Sequence, residues 1–320
     1  MKYRDFGNTG IKVSEVGFGG WGIGGNEHGH SYGSTDDKLS LEAINKAFDL
    51  GCNFFDTADV YGFGHSESLL GKSLKSKRDR VIIATKVGSD FYQGGGFQTF
   101  TEEYIRFALE KSLDRLQTDY IDIYQLHNPP VRLLTKEETY SVLNALKREG
   151  KIRAWGVSVL DPVEGLACLA TSQPDCIQIP VNIFNSRPRE NLLPTAFAAG
   201  CAIIAREPLA NGFLTGKFVD DAYLNFEEGD VRRNWPSDYM KARIEAAQRL
   251  VFLEKEKRTL TQAAIKFVLS MKEVSVTIPG TKTAEHAEEN LGASDLKLLT
   301  PQELKEIETL AKRNFDLPER

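Results

Sequence analysis

Cysteine is scarce in this chain and has no pattern. Cys52, Cys168, Cys176 and Cys201 are scattered without a CxxC spacing, which argues against a disulfide framework or a paired-thiol metal site. Three of them sit beside or within apolar runs, where free cysteine packs as a small hydrophobe, so all four read as reduced and structural. A basic excess is missing too. Lys and Arg number 40 against 45 Asp and Glu, a formal net charge of −5, which speaks against nucleic acid as a partner. No run approaches the roughly 18 apolar residues of a membrane span. Met1–Phe6 carries no apolar leader, so a cytoplasmic protein without a membrane partner is expected. No low-complexity linker divides the 320 residues, of which 41% are apolar. One domain over residues 1–320 is therefore expected, although length alone would suggest about two.

What the chain does have is alternation. Short apolar, β-rich runs are followed by longer segments with helical periodicity, the mark of parallel strands joined by crossover helices. Eight strands are expected, at Val16–Gly19, Asn53–Thr57, Val81–Thr85, Ile121–Leu126, Ala154–Val157, Cys176–Pro180, Ala202–Ala205 and Val274–Ile278. Helices are expected near Thr35–Leu50, Ser66–Lys77, Lys136–Glu149, Pro162–Ser172, Arg189–Ala199, Asp238–Glu256 and Thr283–Leu291. Thr101 caps a further helix, and Thr259 with Gln262 forms a capping box ahead of another. The fold class is α/β, a (β/α)8 barrel. Lys2–Phe6 and Ile11–Val13 form a hairpin closing its lower end, a long connection runs from Pro208 to Trp235, and a helix at Pro301–Arg313 lies beyond the eighth unit.

Gly17-Phe18-Gly19-Gly20-Trp21-Gly22 matches the GxGxxG dinucleotide motif after a strand, but that motif must open a helix to seat a pyrophosphate. A polar, glycine-rich loop follows instead. The glycines are better used to bring loop backbone close to a ligand at the barrel mouth, with Gly20 and Trp21 assigned to that ligand. His28 and His30 in the same loop make an HxH pair with no third ligand apparent nearby, so no metal site is assigned. Trp21, Tyr92 and the Gln93–Gly96 loop are expected to line part of the substrate pocket.

Barrel enzymes draw their catalytic groups from the C-terminal ends of several strands. Asp56 and Tyr61 follow the second strand, Lys86 ends the third and His127 ends the fourth. A phenol with a pKa near 10 is a poor acid at neutral pH, and a neighbouring ammonium lowers that value. Lys86 supplies the ammonium, Asp56 keeps it charged, and His127 hydrogen-bonds the substrate oxygen. The set offers a proton but no reducing equivalent, so a cofactor must bring the rest.

These segments resemble the aldo-keto reductases. Phe55-Asp56-Thr57-Ala58-Asp59-Val60-Tyr61-Gly62 is similar to the family's signature, and Ala84-Thr85-Lys86 and Leu126-His127 look like its Lys and His segments. The resemblance implies a nicotinamide-dependent oxidoreductase acting on a small carbonyl or alcohol, with Asp56, Tyr61, Lys86 and His127 as catalytic residues. It implies that Ser158 and Gln178 hold the nicotinamide carboxamide. It also implies that Arg206 stands where many members stack a Tyr, and that Pro208, Leu209, Asn211, Gly212 and Lys217 fold over the pyrophosphate. Gly280, Thr281, Lys282, His286, Glu289 and Asn290 fall at the adenosine end. Val159 and Asn128 depart from the family pattern. Lys282, ahead of a helix N-terminus, suits the 2′-phosphate of NADP(H), with NAD(H) as the alternative cofactor. Two other roles are compatible with such a chain: a nicotinamide-binding regulatory or assembly protein on the same fold, and a barrel aldolase using Lys86 as a Schiff base, against which Asp56 argues.

Overall fold

The computed structural model describes residues 1–29, 31–92, 97–218 and 226–317. Eight parallel strands form one sheet whose neighbours follow chain order. They are β1 (Phe18–Gly19), β2 (Phe54–Asp56), β3 (Ile82–Val87), β4 (Ile121–His127), β5 (Ile152–Ser158), β6 (Cys176–Pro180), β7 (Ala202–Arg206) and β8 (Val274–Ile278). The ring closes between β1 and β8 through the bridges Val16–Thr277 and Gly19–Gly280. All eight expected strands are present, and the fold is the (β/α)8 barrel.

Side chains alternate along a strand, so every second residue faces the barrel interior. Low in the barrel these are Phe54, Ile82, Ala84, Ile123, Ala154, Cys176, Ala202, Ile204 and Val276, packed with Phe6, Ile11 and Val13 of the hairpin. The hairpin, Tyr3–Asp5 paired with Lys12–Ser14, therefore plugs the lower end with apolar side chains. Continuing most inward columns upward changes their chemistry, although Val276 is followed by Ile278. Phe54 is followed by Asp56, Ala84 by Lys86, Ile123 by Gln125 and His127, Cys176 by Gln178, and Ile204 by Arg206. The sequence thus turns polar at one end of the barrel.

The helices pack outside, burying one stripe each. The side chain of Thr101 accepts from the Tyr104 amide, and Thr259 and Gln262 complete both halves of their capping box. Gly51, at φ 88°, takes the left-handed turn after the first helix, Asp37–Asp49. Three helices are clearly shorter than expected; the one foreseen at Arg189–Ala199 runs only over Leu192–Ala198, after a 3-10 turn at Arg187–Arg189. The second helix of the chain ends at Leu74 and continues as a 3-10 segment, Lys75–Arg80. The one beginning at Ser237 ends at Gln248 rather than Glu256. There the chain turns so that Leu250 and Leu253 reach the core, and the Arg258 guanidinium donates to the Leu253 carbonyl at 2.7 Å. Apolar periodicity continues past the true end, and this tertiary contact overrides it.

Candidate active site

Asp56, Lys86 and His127 meet because they end adjacent inward columns, and Tyr61 is delivered by the turn after β2. Lys86, fully buried, donates from Nζ to Asp56 Oδ1 at 2.6 Å, to the Thr57 carbonyl at 2.7 Å and to the Tyr61 hydroxyl at 3.5 Å. The Tyr61 and His127 rings meet edge to face, centroids 5.9 Å apart. The second Asp56 oxygen accepts from Gln178 Nε2 at 2.7 Å.

Burial would lower the Lys86 pKa, but the Asp56 charge and the hydrogen bonds of Asp56 and Tyr61 outweigh it and hold the ammonium above its ordinary value. Tyr61 departs from the sequence expectation. Burial raises its phenol above the ordinary value, and the opposing Lys86 charge offsets only part of that rise. Desolvation of the charged form wins over attraction, so the phenol is neutral at neutral pH. Burial, then the Lys86 and Arg206 charges, push the His127 imidazole down to about 3, so it too is neutral.

Beside this cluster opens a cavity of about 410 Å³. Its wall contains Gly20, Trp21, Gln178, Arg206, Pro208, Leu209, Asn211, Gly212, Lys217, Gly280, Thr281, Lys282, His286, Glu289 and Asn290, together with Asp56 and Tyr61. Ser158 does not line it; its hydroxyl donates to Asn128 Oδ1 at 3.0 Å. Tyr92 turns its hydroxyl toward Arg115, at 2.8 Å, and is not part of this wall. Gln93–Gly96 and His30 lie outside the described residues. The loop glycines serve the protein's own packing as well as a ligand. A Cβ on Gly20 would lie 2.8 Å from the Asp56 carbonyl oxygen, and one on Gly22 would lie 2.7 Å from Lys282 Cγ.

Sequence reasoning missed five wall residues, Tyr32, Glu207, Phe218, Arg232 and Thr261. The Tyr32 hydroxyl donates to Asn211 Oδ1 at 2.7 Å, and the Arg232 guanidinium covers its ring at 4.5 Å while pairing with Asp230 at 2.6 Å. Lys282 donates to the backbone carbonyls of Tyr32, at 3.0 Å, and Ser34, at 2.6 Å. The loops after β1 and β7 thus meet across the cleft. Arg206 is held by Glu207 and by the Val159 carbonyl, the latter at 3.2 Å. Glu207, Ala210 and Asn211 all take positive φ, at 56°, 47° and 59°, a conformation costing about 1–3 kcal/mol per residue that clusters at ligand sites.

A long cleft with glycine-lined backbone, a helix N-terminus capped by Thr283 at one end and an amine–phenol pair at the other suits a dinucleotide. The sequence matches the Aldo/keto reductase family over residues 15–312. The chain belongs to the aldo-keto reductase family. It is 34% identical to aldo-keto reductase YhdN of Bacillus subtilis (strain 168), over 99% of this chain and 96% of that one. The glycerol dehydrogenase AKR11B4 of Gluconobacter oxydans superposes with a TM-score of 0.83 at 29% identity, covering 99% of this chain and 97% of that chain. An aldo-keto reductase from Klebsiella pneumoniae in complex with NADPH superposes with a TM-score of 0.73 at 25% identity, covering 100% and 97%. As an aldo-keto reductase the chain is an NAD(P)H-dependent oxidoreductase of carbonyl and alcohol groups. The residues present fit a nicotinamide dinucleotide: among the described residues, Gly280 has open space where a Cβ would stand, and Gln178 Oε1 is buried in the wall without a protein partner. Among the described residues, no helix is long and apolar enough to cross a membrane.

Proposed function

We propose that this aldo-keto reductase interconverts a small carbonyl compound and its alcohol, with Tyr61 as the general acid and base and NADPH preferred over NADH. The observation that carries the reading is the Lys86 ammonium set between Asp56 Oδ1 and the Tyr61 hydroxyl, 2.6 and 3.5 Å away. The cofactor supplies the hydride. Proton handling falls to the protein. The neutral Tyr61 phenol donates to the carbonyl oxygen, Lys86 steadies the phenolate left behind, and Asp56 keeps Lys86 charged. Neutral His127 gives a hydrogen bond to the same oxygen and fixes its position. In the reverse direction the phenolate takes the alcohol proton.

Gln178 would face the nicotinamide carboxamide, and the Arg206 guanidinium would serve the ring, since a planar guanidinium can stack on an aromatic as a Tyr does. Pro208, Leu209, Asn211, Gly212 and Lys217 cover the pyrophosphate, and Gly280 to Asn290 hold the adenosine. Lys282 spends two donors on loop carbonyls and keeps a third for the 2′-phosphate. Trp21 stands 6.4 Å from Tyr61 and 4.5 Å from Tyr32, ring centre to ring centre, an aromatic wall suited to apolar substituents of a substrate. The test is carbonyl-dependent oxidation of NADPH and NADH over a panel of aldehydes, ketones and sugars. Turnover of at least one class, faster with NADPH, is expected; no oxidation of either cofactor across the panel would sink the reading.

A further inference from the structure

We infer that Asp56 plays a second part in the site, in which its Oδ2 fixes the amide of Gln178 and thereby sets which end of a carboxamide the cavity accepts. The inference rests on the reading that Gln178 meets the nicotinamide carboxamide. Gln178 belongs to β6 and Asp56 to β2, on opposite sides of the barrel, and their side chains meet across its interior. Gln178 is fully buried. Its Nε2 lies 2.7 Å from Asp56 Oδ2 and 3.3 Å from Gln125 Oε1.

An amide's oxygen and nitrogen are told apart by their partners. A carboxylate engaged with an ammonium through one oxygen can only accept through the other, so the atom facing Asp56 Oδ2 is the Gln178 nitrogen. Its second hydrogen is taken by Gln125 Oε1. The opposite flip would set the Gln178 carbonyl oxygen against the Asp56 carboxylate, an acceptor that no amide flip can turn into a donor. With both N–H groups spent inward, Oε1 is the atom left over, and it has no protein partner among the described residues although it is buried in the cavity wall.

A buried carbonyl oxygen demands a donor. The carboxamide of nicotinamide carries one in its NH2; a methyl ketone at the same ring position does not. Asp56 therefore serves both halves of the site. Oδ1 holds the Lys86 ammonium for proton transfer, and Oδ2, acting through Gln178, makes the cavity select N–H over a bare carbonyl. In this second role Asp56 is a positioning residue, and Gln125 supports it.

Equilibrium titration of the full chain with NADP+ and with its 3-acetylpyridine analogue, in which a methyl ketone replaces the carboxamide, tests this without turnover. Wild type should bind NADP+ tighter by roughly tenfold, the value of one buried hydrogen bond. Tyr61→Phe, which leaves Asp56 and Gln178 untouched, should keep that ratio. Asp56→Asn should abolish it. The new side chain turns its oxygen to Lys86 and its NH2 to Gln178, which rotates to accept and points its own NH2 into the cavity. Gln178→Met should abolish the ratio as well. An unchanged ratio in Gln178→Met would overturn the carboxamide reading of Gln178; a ratio lost in Gln178→Met but kept in Asp56→Asn would overturn the role of Asp56 alone. If Asp56→Asn does not fold, NMR of wild type decides. NADP+, and not the analogue, should shift the Gln178 side-chain carbonyl carbon while both its amide protons stay slow to exchange; equal shifts with the two ligands would overturn the proposal.

Discussion

The Lys86 ammonium stands 3.5 Å from the Tyr61 hydroxyl and 5.0 Å from the centre of its ring, yet the phenol titrates above its ordinary value. Attraction to one cation is outweighed by the loss of water around a phenolate. The lysine is thus no switch that ionises the resting tyrosine. It limits how far burial can disable it.

Replacing Tyr61 by Phe keeps the ring and removes the proton. Carbonyl reduction should slow on the order of 10²–10⁴-fold while NADPH affinity changes little. Near wild-type turnover, with a substrate whose chemical step limits the rate, would remove Tyr61 from its proposed role.

Lys86→Met removes the larger of the two charges that oppose burial and leaves only Arg206, so the phenol pKa should climb further. The alkaline limb of kcat/KM for reduction then moves to higher pH and the neutral rate falls, because the acid is weaker. Alcohol oxidation, which needs the phenolate, should lose more. Profiles in both directions measure this, and an alkaline limb that stays in place would refute the coupling.

With its pKa pushed down to about 3, His127 should add no limb to the rate profile between about pH 5 and 8. His127→Gln should lower the rate without changing the profile's shape. The same shift has a stability consequence. The unfolded chain takes a proton on this histidine below about 6.5 and the folded chain does not, so stability is lost as pH falls from there towards 3. A wild-type acid limb near the ordinary histidine value that disappears in His127→Gln would contradict a neutral role.

Lys282→Glu should weaken NADPH binding at least roughly tenfold, from the loss of a charge-assisted contact worth about 1.5–3 kcal/mol. NADH should be nearly unaffected. Titrating both cofactors settles it: equal losses would show that Lys282 acts only through the Tyr32 and Ser34 carbonyls, as a brace for the loop.

The barrel was legible because its signals are local. Runs such as Val81–Ala84 and Ala202–Ala205 are apolar throughout, as strands covered on both faces must be, and Thr101 and Thr259 mark helix starts by side-chain chemistry alone. Asp56, Lys86 and His127 could be found because a polar residue ending an apolar strand stands out. Gln125 could not, since one polar residue among Ile123, Tyr124 and Leu126 reads as noise until a partner from β6 is brought across the barrel. Tyr32 and Arg232 were hidden for a related reason. They lie some 200 positions apart and become one wall only where two loops cross. The sign of the Tyr61 shift was out of reach because it depends on burial, which pairwise chemistry does not report.

The ring of strands is least secure around β1. That strand contributes two residues, and its segment joins β8 through the bridges Val16–Thr277 and Gly19–Gly280, with backbone hydrogen bonds such as Gly17 N–H to the Thr277 carbonyl at 2.8 Å. On its other side β1 pairs with β2 through two residues, whereas the remaining junctions pair three or more. Gly19 and Gly280 also form part of the cavity wall, so a dinucleotide lying there spans the seam like a suture. Breathing of the barrel in the free protein should therefore concentrate at this junction, with amide hydrogens of the Gly17–Gly20 and Thr277–Thr281 segments among the first to exchange in the barrel wall. Occupancy of the cleft would quench that motion, and a loose joint of the barrel and the proposed cofactor site would be the same few residues.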